Sequence, residues 1–100
     1  MENVTVRTLP QVEAWLRELR DAKTKARLLK RIRKAMLGNL GDVEPVGGGV
    51  YEMREHFGPG WRMYYVQRGK TVIILLAGGS KRTQPRDIAE AKRLANELDD

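Results

Sequence analysis

The stretch that follows Gly41 constrains the fold most, because its apolar residues change from helical to strand-like spacing and keep that spacing through three consecutive segments. Two short connections built on glycine, Gly58-Pro59-Gly60 and Gly69-Lys70, separate these segments, and connections of this length join antiparallel neighbours. We therefore predict a β-meander. Its strands are Val50–Phe57, Trp61–Arg68 and Thr71–Ala77. The last is apolar on both faces, which predicts a central strand covered on both sides.

The remainder of the chain is mostly helical in its spacing. In Asn3–Thr8 apolar and polar residues alternate, which predicts a short first strand. Pro10 predicts the start of a first helix. Asp21 is predicted to cap a second helix of about Ala22–Leu37, and Pro85 begins a terminal one. The predicted core stripes are Val12, Trp15, Leu16 and Leu19 on the first helix, Ala26, Leu29, Ile32 and Met36 on the second, and Ile88, Ala91, Leu94, Ala95 and Leu98 on the third.

These elements give the order β-α-α-β-β-β-α, with a helical hairpin near the N-terminus. A short strand-like segment, Val43–Val46, and a turn or bulge at Gly47-Gly48-Gly49 precede the meander. The run from Gly78 to Thr83 after the meander is predicted as a loop. A chain of 100 residues buries one modest core, so residues 1–100 are predicted to form a single domain.

Composition restricts the class of function. Lysine and arginine number 19 against 13 acidic residues, a net charge of +6, which favours an anionic partner. The absence of cysteine excludes disulfides, thiolate chemistry and cysteine-based zinc sites, and a single histidine argues against other metal sites. No cofactor is predicted. The run Thr71–Ala77 is too short to span a bilayer, and Met1–Val4 does not begin a signal peptide. The expected location is the cytoplasm, with no membrane partner.

Polar residues of the first two meander strands are predicted to share one sheet face. An odd-length loop at Gly58-Pro59-Gly60 makes both faces coherent, and we predict Phe57 opposite Trp61, Arg54 opposite Tyr64 and His56 opposite Arg62. The predicted polar face carries Glu52, Arg54, His56, Arg62, Tyr64 and Arg68, beside a loop with Lys81 and Arg82. Arginines suit phosphate, tyrosine can stack on a base, and Glu52 or His56 could move a proton. The alternative interpretation is a solvated face with cross-strand glutamate–arginine pairs.

The second helix carries much of the positive charge. Its predicted RNA-binding residues are Lys23, Arg27, Lys30, Arg31 and Lys34, to which Arg68 of the meander is added. A solvated helix face is the alternative. Trp15 and Trp61 are predicted as core residues rather than stacking platforms.

Several runs together resemble the RelE/ParE toxin superfamily, and more narrowly its HigB-like, phage-derived addiction module killer protein branch. These runs are Trp15-Leu16, Lys25-Ala26-Arg27, Gly38 to Asp42, Gly47 to Arg54, Gly58 to Tyr65, Leu75 to Lys81, Gln84, Asp87-Ile88 and Ala91. The resemblance covers nearly the whole chain. It implies an α+β fold in which a helical hairpin packs on an antiparallel sheet, and a type II toxin that a helix-turn-helix antitoxin neutralises.

Many relatives in that superfamily are ribosome-dependent mRNA endonucleases, in which a 2′-hydroxyl attacks the adjacent phosphate without metal. The resemblance gives Arg62 the role of stabilising charge on the scissile phosphate. Lys81 or Arg82 falls where relatives carry another catalytic basic residue, and Arg54 becomes a supporting phosphate contact. Since no tyrosine or histidine follows Tyr65, proton transfer would fall to Glu52, His56, Tyr64 or a lysine.

Two other functions stay open. The first is non-enzymatic inhibition of DNA gyrase, as in ParE-like relatives, which the missing late tyrosine or histidine motivates. The second is a degenerate module whose surviving task is to bind its antitoxin.

Overall fold

The chain forms an α+β domain, which confirms the predicted fold class. The computed structural model describes residues 3–70 and 72–98, so Thr71, the predicted first residue of the last strand, lies outside the described residues. The elements are β1 (Thr5–Thr8), α1 (Pro10–Glu18), α2 (Ala22–Met36), β2 (Val43–Gly47), β3 (Val50–Glu55), β4 (Trp61–Arg68), β5 (Val72–Ser80), a single 3₁₀ turn (Lys81–Thr83) and α3 (Gln84–Leu98). Among these helices, none is long and apolar enough to cross a membrane.

The five strands form one sheet in the order β1-β5-β4-β3-β2. The predicted meander β3-β4-β5 is confirmed and lies at its centre. The short segment before it is a strand, β2, which pairs with β3 through the glycine turn, where Gly47, Gly48 and Gly49 all have positive φ. The sheet is mixed rather than wholly antiparallel, because β1 pairs in parallel with β5. The connection between these two strands contains both N-terminal helices and the other three strands.

Helices cover both faces of the sheet. On one face, α1 and α2 pack over a cluster that includes Val12, Leu28, Met63 and Leu75. On the other, Ala91 and its neighbours on α3 pack against a second cluster. Strands β4 and β5 are therefore buried on both sides, as predicted for the last strand.

The core face of α2 differs from the predicted stripe. Leu28, Ile32 and Ala35 are buried, whereas Leu29 and Met36 are 38% and 39% exposed. Of the four predicted positions, only Ile32 is therefore in the core, since Ala26 is exposed as well. The helix is rotated by about one residue because the Arg31 side chain lies inward, where its guanidinium donates to backbone carbonyls. By contrast, the predicted stripe on α1 is confirmed, with Val12 and Leu16 buried.

The register between β3 and β4 is two residues away from the prediction. Arg54 lies opposite Arg62 and Glu52 opposite Tyr64, so the faces are as predicted but the individual pairs are not. The difference arises because β3 ends at Glu55, which leaves His56 and Phe57 in a longer loop that Gly58 and Gly60 close with positive φ. An even shift keeps every side chain on its predicted face.

Strand β5 continues through the glycines predicted as a loop and ends at Ser80. A Cβ added to Gly78 would overlap the Trp15 ring, and one added to Gly79 would overlap Asp87 Oδ2. These glycines therefore let an aromatic ring and a carboxylate lie directly against opposite faces of the strand.

Candidate functional site

Five polar side chains follow one another across the end of the sheet, on the face toward α3. This polar band consists of Asp42, Glu52, Arg54, Arg62 and Tyr64. Arg54 is the Cα partner of Arg62, and its backbone N–H donates to Asp42 O at 3.0 Å, so one row crosses three neighbouring chain segments. Four of the five were predicted from strand periodicity. Asp42 was not, because it precedes β2 in a loop without periodicity.

The inner half of the polar band is buried beneath the start of α3. Arg62 and Glu52 are 6% and 5% exposed, and Arg62 Nε lies 3.7 Å from Glu52 Oε1. Gln84 Nε2 donates to the same Oε1 at 2.7 Å. Within the described part of the chain, Arg62 Nε and the Tyr64 hydroxyl have no hydrogen-bond partner.

Burial also controls the protonation of this inner half. Tyr64 is fully buried, and burial raises the pKa of its hydroxyl, with the nearby carboxylates of Glu52 and Asp87 adding to the effect. Asp87 is itself buried and accepts a hydrogen bond from Thr83 Oγ1 at 2.5 Å. The phenol therefore stays neutral at physiological pH.

Lys81 and Arg82, which the sequence left as alternatives, lie on different sides of the strand end. A Cβ on Gly60 would lie 3.5 Å from both Arg62 Nη1 and Lys81 Cβ, so these two cations flank the same glycine. The backbone N–H of Lys81 also donates to Gly60 O at 2.7 Å. Arg82 instead lines a groove of about 330 Å³ with Arg86 and two tryptophans. Lys81 is thus the residue beside Arg62.

The tryptophans of that groove, Trp15 and Trp61, have ring centroids 6.1 Å apart. Both are partly buried and pack against the core cluster on the α1 and α2 side, which agrees with their predicted core role.

The outer half of the polar band is more open, with Asp42 exposed and Arg54 half-buried, and Asp42 holds it together. Its Oδ1 accepts from Arg54 Nη2 at 3.0 Å, and its Oδ2 lies 2.6 Å from His56 Nε2. These two hydrogen bonds lower the pKa of the Asp42 carboxyl to about 2. On β2, Glu44 Oε1 lies 3.5 Å from Arg54 Nη2.

The basic residues of α2 separate into surface cations and one buried arginine. Arg27, Lys30 and Lys34 line a cleft of about 190 Å³ together with Arg31 and Glu55, and the guanidinium of Arg27 lies 3.9 Å over the Phe57 ring. Lys23 is exposed in the first turn of α2.

Arg31, predicted from sequence as an RNA contact, instead makes hydrogen bonds within the protein. Its Nε and Nη2 donate to Leu40 O, Nη2 to Asp42 O, and Nη1 to Arg54 O and Glu55. Only 9% of the side chain is exposed. Its structural contacts fasten the loop after α2 to the end of β3.

Arg68 lies away from the polar band. It shares the strand and face of Arg62, but six residues of extended chain separate the two by about 20 Å. The structure therefore does not bring Arg68 together with the other predicted phosphate contacts. Gln84 and Asp87, which do reach the band, are among the residues that carry the family resemblance, but neither was predicted from sequence to have a role in the site.

This arrangement of helices and sheet is that of the RelE-type toxins. A solved structure of Escherichia coli toxin RelE, a mutant in the free state, matches with a TM-score of 0.72 and 16% sequence identity, over 93% of this chain and 97% of that one. The likeness at this identity establishes the fold.

The family itself follows from sequence. The model of the family described as "Phage derived protein Gp49-like (DUF891)" matches residues 14–98, and the chain belongs to that family. A protein of Haemophilus influenzae (strain ATCC 51907 / DSM 11121 / KW20 / Rd), described as uncharacterized, is 38% identical over 95 residues, which cover 95% of this chain and 96% of that protein.

Proposed function

We propose that this chain is the toxin of a type II toxin–antitoxin module and that it cleaves mRNA at the ribosome without a metal ion. The observation that carries the proposal is the convergence of three cations at one end of the sheet. Arg54 and Arg62 are cross-strand partners, and Lys81 flanks Gly60 beside Arg62. The resemblance to RelE, which is itself a toxin, supports the same conclusion.

The convergence suits a phosphate whose charge increases during attack. When a 2′-hydroxyl attacks the neighbouring phosphorus, negative charge develops on the phosphoryl oxygens, and a guanidinium stabilises it with donors in a fixed fork. Arg62 lies in a water-poor setting, where such an interaction is stronger than in water. A phosphate over the Gly60 turn would contact Arg62 Nη1 and the Lys81 ammonium, with Arg54 supporting it.

The cleft on α2 gives the proposed enzyme a second anionic contact. Arg27, Lys30 and Lys34 present charge near the end of β3, where Arg31 connects α2 to the backbone of Arg54. Lysines and arginines at a surface neutralise phosphates with little sequence preference. We assign these residues and Lys23 to binding ribosomal RNA or mRNA, without a role in cleavage.

The proposed partner outside the ribosome is an antitoxin with a helix-turn-helix domain. The net charge of +6 favours an acidic contact segment on that protein. To the extent that rim charges contribute, the complex should weaken as salt concentration rises.

Inhibition of DNA gyrase, as in ParE-like proteins, is the second candidate, and one observation favours it. Arg62 faces Glu52 at 3.7 Å beneath α3, so a carboxylate already offsets the charge of the central arginine. A binding surface would need no free cation there, whereas a ribonuclease needs phosphate to compete with Glu52.

The test induces the protein without antitoxin, labels new protein and DNA, and maps transcript ends. Arg62→Ala should reduce cleavage by roughly 10²-fold or more. Because that change leaves Glu52 buried without its partner, Arg62→Lys is measured as well, since it keeps the charge but lacks the fork. Arg93→Ala is the matched control, because Arg93 is also ion-paired but lies exposed on α3.

Loss of translation, with new mRNA ends that disappear in the folded Arg62 variants and persist in Arg93→Ala, supports the ribonuclease. Loss of DNA synthesis with intact mRNA would assign the protein to gyrase inhibition. A folded protein that stops neither would leave antitoxin binding as its function.

A further inference from the structure

Three side chains are predicted by name to move a proton, beside an unspecified lysine, and these three differ sharply in access. Tyr64 is fully buried and neutral, and Glu52 is buried with one oxygen shared between Gln84 and Arg62. The His56 side chain is 66% exposed, and Asp42 contacts one of its two ring nitrogens. Of these three groups, only the imidazole can meet a substrate without movement of α3.

We infer that His56 accepts the proton of the attacking 2′-hydroxyl and that Asp42 is the positioning residue that orients its imidazole. This inference rests on the ribonuclease function proposed above. It assigns a role to Asp42, a residue to which neither the strand pattern nor the family resemblance gave a function.

The geometry of Asp42 fixes which nitrogen of His56 is available. The carboxylate is held at both oxygens, with Arg54 Nη2 donating to Oδ1 at 3.0 Å and His56 Nε2 at 2.6 Å from Oδ2. An ionised carboxylate only accepts, so Nε2 carries the hydrogen, and in the neutral imidazole Nδ1 is then the nitrogen with the lone pair. This dyad of carboxylate and imidazole follows the logic by which hydrolases activate a hydroxyl, with the roles of the two ring nitrogens exchanged.

The dyad is also close enough to the phosphate site to act on the same nucleotide. Asp42, Arg54 and Arg62 lie in one row across three adjacent chain segments, and neighbouring strands are 4.7–4.9 Å apart, so the backbones of Asp42 and Arg62 are about 10 Å apart. Arg54 stands between them and contacts Asp42 directly. The inferred role places the 2′-hydroxyl of that nucleotide against His56 Nδ1.

The step balances without an added reactant. His56 Nδ1 takes the 2′-hydroxyl proton, the O2′–P bond forms, and the P–O5′ bond breaks. The departing 5′-oxygen takes a proton from water, and the imidazolium returns its own proton to water. The products are a 2′,3′-cyclic phosphate and a 5′-hydroxyl.

The test uses purified full-length protein with ribosomes programmed by a defined mRNA, and measures kcat and KM for cleavage. His56→Ala should lower kcat about 10²-fold or more, and added imidazole should restore part of it. Asp42→Asn should lower kcat about tenfold or more with little change in KM. Glu44→Gln is the matched control, because Glu44 also approaches Arg54 but has no contact with His56 among the described residues.

A second measurement separates positioning from a merely structural role. The ¹⁵N chemical shifts of His56 should show the Nε2–H form in the wild type and a mixture of tautomers in Asp42→Asn. Cleavage at the wild-type rate by folded His56→Ala or Asp42→Asn would overturn this inference without contradicting the proposed ribonuclease function. Absence of wild-type cleavage would refute both, and a wild-type imidazole protonated at Nδ1 alone would refute the dyad regardless of activity.

Discussion

Replacing Arg31 tests whether this residue serves the fold or the RNA. Its guanidinium donates to the carbonyl oxygens of Leu40, Asp42 and Arg54 and pairs with Glu55. Arg31→Ala removes all these donors at once and leaves a partly buried carboxylate and three carbonyls unsatisfied. Removing one partner of a buried ion pair costs about 3–5 kcal/mol. A domain of this size has about 5–15 kcal/mol in total.

The loss is large enough to measure by urea or thermal unfolding followed by circular dichroism. For a domain of this length each kcal/mol lowers Tm by about 4–8 °C, so we expect a fall of at least about 12 °C. The Tm of Arg31→Lys should lie between those of the wild type and Arg31→Ala, because one ammonium cannot reach carbonyls on both sides. Lys30→Ala, from the same cleft but exposed, should stay within about 0.5 kcal/mol of the wild type. An Arg31→Ala protein within about 1 kcal/mol of the wild type would refute the structural role.

Two further outcomes follow from local geometry. Gly79→Ala should destabilise the fold by about 1–3 kcal/mol, because its Cβ would meet Asp87 Oδ2 and Thr83 Oγ1. Most of that cost should vanish in an Asp87→Ala background. A double-mutant cycle measured by urea unfolding tests this expectation. Because the pKa of Asp42 is lowered from 3.8 to about 2, its stabilising hydrogen bonds persist above pH 4 and are lost as the pH falls toward 2. The stability difference between wild type and Asp42→Asn should therefore shrink over that window, and a constant difference would contradict the assignment.

Local patterns predicted the elements well where one signal dominated. Pro10 and Asp21 do begin their helices, and the Asp21 side chain accepts hydrogen bonds from Lys23 N and Thr24 Oγ1, as a capping residue should. The β3–β4–β5 meander followed from alternation and glycine turns. The core face of α2 was not predicted correctly, because a buried arginine counts as polar in any hydrophobic pattern. Only its carbonyl partners, distant in sequence, explain its position.

The candidate site was predicted in its composition but not in its burial. Strand parity correctly placed Glu52, Arg54, Arg62 and Tyr64 on one face. Whether that face meets water depends on where α3 packs, which no local spacing encodes. The sequence therefore suggested an open cationic face, whereas Gln84 and Asp87 cover its inner half.

The parallel pairing of β1 with β5 orders events during synthesis. Strand β1 finds its neighbour only after Val72–Leu75 has been made, and α3 covers the inner half of the polar band only after β5 has been made as well. Both β5 and α3 must therefore leave the ribosome before Arg62 acquires its surroundings. For a protein proposed to attack translating ribosomes, this delay means that a nascent copy stays inactive until α3 has left the ribosome that makes it.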